Sequence, residues 1–197
     1  DALDRSAPRS ALAGPIRRMR VSRLYAEDCH AFMRFASVWS TIEDVDVNDV
    51  EGGCVDAAFN ADALRFCRSP LFELEDPAFA NGCGDLRNIR ISKVRVWKTR
   101  DMGSGLLQLH SRMNNFVVED FARDFERDAN PLRPSLDIAY VPGASGRLEG
   151  LTSEDQSRLE PACGAVGLAW EKDAGGLPGN DLYTFAFTLS DNARLKA

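Results

Sequence analysis

The feature that most constrains the fold is the segment Leu86–Arg100, in which apolar and polar residues alternate. Residues two apart lie on the same face of a β-strand, so this spacing predicts a half-buried strand. The apolar pairs are Ile89 with Ile91, and Val94 with Val96. The parity changes near Ser92–Lys93, and a β-bulge there would return both pairs to one side of the strand.

A second alternating segment, Leu106–Met113, follows a turn that contains glycine. The two segments therefore predict an antiparallel hairpin, Leu86–Arg100 paired with Leu106–Met113. Its basic residues converge on the outer face, where they form a candidate binding surface. They are Arg87, Arg90, Lys93, Arg95, Lys98 and Arg100, with Arg112 on the second strand. Such a surface suits an anionic group or an acidic partner. The same charges also discourage edge-to-edge aggregation, which is the alternative interpretation.

The remaining patterns predict an α+β fold. Apolar residues recur at three- and four-residue steps across Arg23–Ile42, which indicates an N-terminal helix. Two short helices are expected after Asn114–Asn115 and at the capping box Ser153–Gln156. We expect a mostly antiparallel sheet of about five or six strands, with one longer N-terminal helix and two short helices packed on it. No repeat of about 20 to 50 residues is evident, which argues against a solenoid.

A chain of 197 residues with 44% hydrophobic residues is expected to form one domain. We assign residues 1–20 to a flexible N-terminal arm and residues 21–197 to a single α+β domain. No window approaches the run of about 18 apolar residues that a transmembrane helix needs. The five cysteines leave two alternatives, one or two disulfides or a set of buried reduced thiols. The arm and the odd cysteine count favour a periplasmic or secreted protein, with a cytoplasmic one as the alternative.

Candidate catalytic groups are few. Glu73 and Glu75 share one face of a predicted strand, as carboxylates for acid–base work would. Cys29 with His110 is the obvious way to pair a thiol with a base. Phosphate-binding glycine loops and zinc-type cysteine pairs are absent from the sequence, so no cofactor is expected.

A weak metal candidate is the acidic stretch Asp44, Asp46 and Asn48, which resembles the start of a calcium loop. The match fails at its sixth position, where Asp49 stands in place of glycine. A solvated acidic loop is the alternative interpretation.

These observations favour a non-enzymatic binding or assembly module that contacts another protein or an anionic ligand through the cationic hairpin and the arm. The net charge of −6 argues against binding to duplex nucleic acid. A small hydrolase or transferase that uses Glu73 and Glu75, or Cys29 and His110, is the alternative. A third hypothesis is a carrier of apolar ligands or lipids, which needs an apolar cavity.

Overall fold

The chain passes back and forth between two β-sheets, so that each sheet receives alternate strands over most of its length. The computed structural model describes residues 15–36, 41–61, 85–101, 105–138, 144–151, 168–173, 176 and 181–186. The strands are β1 (Ile16–Cys29), β2 (Met33–Arg34), β3 (Thr41–Cys54), β4 (Phe59–Ala61), β5 (Asp85–Lys98), β6 (Leu107–Leu109), β7 (Met113–Arg123), β8 (Leu136–Ile138), β9 (Ser145–Glu149), β10 (Leu168–Glu171) and β11 (Leu182–Ala186).

The larger sheet has the order β1-β3-β5-β7-β9-β11-β10, and the smaller has the order β2-β4-β6-β8. Strands β1 to β9 of the larger sheet pair in parallel, as do all strands of the smaller one. Strands β9, β11 and β10 pair antiparallel. One strand of each sheet thus makes one turn of a solenoid, which we call a coil. Coil 1 is β1 with β2, coil 2 is β3 with β4, coil 3 is β5 with β6, and coil 4 is β7 with β8.

The expected α+β class with a mostly antiparallel sheet is therefore wrong. The described residues contain no α-helix, and the sheet is mixed, with its parallel part dominant. The predicted hairpin is wrong as well, because β5 pairs in parallel with β3 and β7 while β6 lies in the other sheet. In the described residues there is also no helix long and apolar enough to cross a membrane.

The helix predicted at Arg23–Ile42 begins inside β1, and the one predicted after Asn114 coincides with β7. The third expected helix, at Ser153–Gln156, lies outside the described residues. The predicted arm, residues 1–20, overlaps β1 from Ile16 onward. Its first fourteen residues lie outside the description, so the division into arm and domain stays a prediction.

Residues with left-handed backbone conformation bend the long strands and interrupt the alternation of inward and outward side chains. Two such columns cross the sheet at matching register positions, with φ between 50° and 65°. The first column is Arg18, Asp44, Asn88 and Asn115, and the second is Arg23, Asp49, Lys93 and Asp120. Each bend changes which side the following residues face, so inward side chains are spaced by three, two and three residues. This spacing resembles helical periodicity, which explains the incorrect helix predictions.

The inward spacing recurs in four strands, and it is the repeat that the sequence analysis missed. The inward rows are Ile16, Met19, Val21, Leu24; Ile42, Val45, Val47, Val50; Leu86, Ile89, Ile91, Val94; and Met113, Phe116, Val118, Phe121. Stacked on each other, the last three rows form the centre of the core and are at most 7% exposed. Unequal spacing between rows conceals the period, since Ile42 pairs with Ile16 but the next partner, Leu86, is 44 residues further along.

The prediction that Ile89, Ile91, Val94 and Val96 share one side of the strand is confirmed, because all four are buried. The predicted bulge is wrong in kind. Ser92 pairs with Asn48 and Val94 pairs with Val50, so Lys93 and Asp49 bend together and no residue is inserted in one strand alone. A bend shared by neighbouring strands keeps their hydrogen-bond register intact.

Candidate binding cleft on the outer face

The outward side chains form rows whose charge alternates from coil to coil. The row on β1 begins with Arg17, Arg18, Arg20 and Arg23, and the row on β3 carries Glu43, Asp44, Asp46, Asp49 and Glu51. The row on β5 carries Arg87, Arg90, Lys93 and Arg95, and the row on β7 carries Glu119 and Asp120. Register places opposite charges beside each other, as in the column Arg20, Asp46, Arg90. Because opposite charges on neighbouring strands attract, this pattern stabilises the stacking of the coils.

Most of the basic residues predicted to form the binding surface are ion-paired in the structure. Arg87 and Arg112 contact Asp85, at 2.5 and 3.7 Å. Arg90 contacts Glu119 at 2.6 Å, Arg95 contacts Asp124 at 2.8 Å, and Arg100 contacts Asp28 at 3.3 Å. Lys93 is exposed at its bend. The predicted basic binding surface therefore contains carboxylates between its basic residues and is not uniformly positive.

Lys98 is placed differently from the other predicted residues, because its side chain points into the protein and is fully buried. Its Nζ donates hydrogen bonds to the carbonyl oxygens of Val55, at 3.3 Å, and Asp56, at 2.5 Å. Burial lowers the pKa of Lys98, since desolvation disfavours the ammonium form. This side chain ties coil 3 to the turn after β3 and cannot contact a ligand at the surface.

An open cleft of about 580 Å³ lies on the outer face where β5, β7, β9 and β11 meet. Arg90 and Arg147 line it, with Val117 between them in the same register column. Two strand spacings of about 4.8 Å put the two arginine Cα atoms roughly 10 Å apart. Val117 is a partly exposed apolar side chain of the cleft, whereas Phe185 on β11 is only 2% exposed. The cleft thus combines two cationic groups with a small apolar area.

Glu119 lies between the two arginines of the cleft. Its Oε2 accepts hydrogen bonds from Nε and Nη2 of Arg90, and its Oε1 accepts one from Nη2 of Arg147 at 2.7 Å. The hydrogen bond from Arg90 is the main cause of the lowered pKa of Glu119. Arg147 Nε also lies 3.4 Å from Glu149. Among the residues that line the cleft, two guanidinium groups thus share one carboxylate, and the carboxylate fixes both of them in position.

A ladder of polar side chains borders the cleft. Asn88 donates from Nδ2 to Asp44 at 3.0 Å, and Asn115 donates from Nδ2 to Asn88 at 3.1 Å. The backbone N–H of Asn115 then donates to Oγ of Ser145 at 3.2 Å. Because Asn and Asp adopt the left-handed conformation more readily than most residues, the ladder and the strand bend support each other. It gives the cleft a polar wall with a defined geometry.

The other predicted site residues are not brought together. Cys29 lies in coil 1, where its Sγ contacts the carbonyl of Gly53, and His110 follows β6 in coil 3, where its Nε2 is 2.8 Å from Asp137. Burial raises the pKa of Cys29, which disfavours the nucleophilic thiolate. Glu73 and Glu75 lie outside the described residues.

The weak calcium candidates lie along β3 rather than around a cation-sized loop. Asp44 accepts the hydrogen bond from Asn88, and Nδ2 of Asn48 donates to Ser92 at 2.8 Å. Asp46 lies between them in the acidic row. Within the described parts of the chain, no group of three or more His, Cys, Asp or Glu residues is placed to hold a metal ion.

Two cysteines, Cys29 and Cys54, fall in the described residues, and both are free thiols. They are register partners on β1 and β3. Burial raises the pKa of Cys54 to about 12, so its thiol stays protonated at neutral pH. No disulfide is present among the residues that the structure describes; Cys67, Cys83 and Cys163 lie outside them.

Comparison with known proteins gives no relative for this chain. No protein-family model, no curated protein and no solved structure matches it. The candidate site therefore rests on the geometry of the cleft alone.

Sequence reasoning missed Glu119 and Arg147 as site residues. The two residues are 28 positions apart in the sequence, and their side chains meet only because β7 pairs with β9. The alternating charge of successive rows was the available signal. Arginines near residue 20, carboxylates near residue 46 and arginines near residue 90 are visible in the sequence, but their relation appears only once the strands are known to stack.

Proposed function

We propose that this protein is a non-enzymatic binding module that holds an anionic ligand in the cleft between Arg90 and Arg147. The observation that carries the proposal is the pair of guanidinium groups fixed across one carboxylate. Arginine forms bidentate, charge-assisted hydrogen bonds to carboxylate and phosphate groups, which makes these ligand groups the natural match.

The availability of the guanidinium groups supports this function. Arg90 uses Nε and Nη2 for Glu119, and Arg147 uses Nε and Nη2 for its two carboxylates. In the described part of the chain, Nη1 of each arginine has no partner, and the two side chains are 59% and 45% exposed. Each group can therefore donate further hydrogen bonds to a ligand while Glu119 keeps it oriented.

The shape of the cleft supports an extended ligand. The cleft is open to solvent and spans several strands, so a chain of charged units can lie across it without being enclosed. The spacing of roughly 10 Å between the two arginines suits a polymer that presents anionic groups at intervals. We propose an anionic polymer as the ligand class. The periplasmic or secreted location stays a prediction.

Binding of polygalacturonate and heparin to the immobilised full chain, with neutral dextran as control polymer, tests the proposal. We expect at least one anionic polymer to bind, with affinity that falls as ionic strength rises, because salt screens exposed charges. Equal binding of dextran, or an affinity that does not change with salt, would overturn the proposal.

A matched pair of double variants tests the location. Arg90→Gln with Arg147→Gln removes two charges from the cleft, and Arg95→Gln with Arg100→Gln removes two charges elsewhere on the protein that are at least as exposed. We expect the first variant to bind about a hundredfold more weakly, since it loses two charge-assisted hydrogen bonds that contribute roughly 1.5 kcal/mol each. We expect the second variant to stay close to the unsubstituted protein. Equal losses in the two variants would show a general charge effect and contradict the cleft.

A further inference from the structure

Among the strands that the structure describes, β1 lies at the edge of the larger sheet. Within the described residues it pairs with β3 alone. An unpaired edge presents N–H and C=O groups that can accept a further strand. With fourteen residues, β1 is long for an edge strand, and a long exposed edge is a template for strand addition.

The core beside this edge is incompletely covered. Ile16 is 50% exposed, whereas its register partner Ile42 is 7% exposed. Met19, Val21 and Leu24 are partly exposed, while the inward residues of the next row are buried. A coil with a neighbour on one side only leaves part of its apolar row uncovered, and coil 1 has one neighbour within the described residues.

The charge of the edge specifies what can cover it. The outer row of β1 carries Arg17, Arg18, Arg20 and Arg23, and on its paired side it meets the acidic row of β3. The contact between Arg17 and Glu43, at 2.5 Å, shows the kind of pair that this row makes. Since rows of opposite charge alternate along the solenoid, the strand that fits the open side is acidic.

We propose that an extended acidic segment of another protein adds to the open edge of β1 as a further strand. Its backbone pairs with β1, its carboxylates lie beside the arginine row, and its apolar residues cover Ile16, Val21 and Leu24. The fourteen residues that precede Pro15 carry two carboxylates and two guanidiniums, so their charges do not supply an acidic row. This surface is in coil 1 and is independent of the cleft, which begins at coil 3.

A synthetic peptide with the sequence of residues 41–53 serves as the probe, because it contains the acidic strand that pairs with β1 on the other side. Binding of the labelled peptide to the full chain is measured by fluorescence anisotropy. The control peptide has Gln or Asn in place of the five carboxylates. We expect the acidic peptide to bind and the amide peptide to bind about tenfold more weakly, because it lacks the cross-strand charge pairs.

Two protein variants locate the binding edge. Arg23 and Lys93 occupy the same register column and both have left-handed backbone, but Lys93 lies on β5, which is paired on both sides. We expect Arg23→Glu to weaken peptide binding about tenfold, because it sets like charges opposite each other, and Lys93→Glu to leave it nearly unchanged. Equal effects of the two variants would overturn the assignment to the β1 edge.

Hydrogen exchange gives a second readout that does not depend on a variant. Addition of the acidic peptide is expected to slow exchange of β1 amides, because the added strand protects them, while β5 amides are unaffected. Absence of peptide binding, binding without β1 protection, or self-association of the peptide-free chain in analytical ultracentrifugation overturns the proposal. The Arg90→Gln, Arg147→Gln variant is expected to bind the peptide normally, so failure of the cleft and failure of the edge are distinguishable.

Discussion

A buried arginine, Arg123, organises the segment that connects β7 to β8, the two strands of coil 4. Arg123 and Asp128 form an ion pair of 2.7 Å whose side chains are 2% and 0% exposed. The remaining donors of Arg123 bind the carbonyl oxygens of Asn130 and Arg133. The guanidinium thus supplies hydrogen-bond donors to backbone carbonyl groups that have no strand partner in this turn, since buried carbonyl groups need partners.

We expect Asp128→Ala to lower the free energy of unfolding by about 3–5 kcal/mol, because it leaves the buried guanidinium without its counter-ion. The measurement is urea denaturation followed by circular dichroism. The pair of Arg100 with Asp28, whose side chains are 61% and 47% exposed, supplies the control, and Arg100→Ala should have a much smaller effect. Equal effects of the two substitutions would contradict the role given to burial.

Glu119 should make stability depend on pH. Its folded-state pKa lies below the ordinary value of 4.5, mainly because Arg90 donates to it. The unfolded chain therefore binds the proton more readily, and the stabilisation is fully present above pH 4.5 and lost as the pH falls through the folded-state pKa.

We expect Glu119→Gln to be less stable than the unsubstituted protein at pH 6 by up to about 1 kcal/mol, with the difference shrinking in acid. Denaturation curves across this range measure it. A difference that stays constant with pH would show that the carboxylate charge is not responsible.

At the scale of the element, the left-handed bends determine the long strands. A non-glycine residue in this conformation costs roughly 1–2 kcal/mol, and Asn tolerates it better than Lys. Asn88 and Asn115 in the first column satisfy this preference, whereas Lys93 in the second column does not. The second column compensates by alternating charge, with Lys93 between Asp49 and Asp120.

We expect Lys93→Asn to stabilise the protein by about 0.5–1 kcal/mol, because the conformational gain exceeds the loss of the weak attraction between Lys93 and the carboxylates of its column. The reciprocal variant Asn88→Lys should destabilise by more than that, since it also breaks the ladder with Asp44 and Asn115. Thermal denaturation of both variants gives the comparison. A destabilised Lys93→Asn would show that the charges of the column outweigh backbone strain.

At the scale of the whole molecule, each coil contacts mainly its neighbours. Stability in such an architecture is close to a sum of coil and interface contributions, so terminal coils open more easily than central ones. Coil 1 has one neighbour in the described structure and a partly exposed apolar row, while coil 3 is paired on both sides.

We therefore expect native-state hydrogen exchange to be fastest in β1 and slowest in β5, with differences in opening free energy of a few kcal/mol. Low denaturant should accelerate exchange in β1 first. Equal protection of β1 and β5 would indicate cooperative opening of the whole chain and contradict the coil-by-coil behaviour.

Part of this architecture was predictable from the sequence. The strand at 86–98 and the shared burial of Ile89 and Val94 follow from local alternation. The partners of this strand did not follow, because a strand pattern does not reveal which edge it will pair with. The antiparallel hairpin was chosen on nearness in sequence, and the solenoid instead pairs β5 with strands in the preceding and following coils.

The sequence by itself determined the strand at 86–98, the direction of its apolar side chains and the rows of like charge, because these depend on local spacing. Tertiary structure alone decided that the rows stack with alternating sign, that Lys98 is buried, and that Arg90, Glu119 and Arg147 meet. The physical reason is that paired parallel strands are joined by connections of varied length. The number of residues between two strands therefore does not reveal whether they pair.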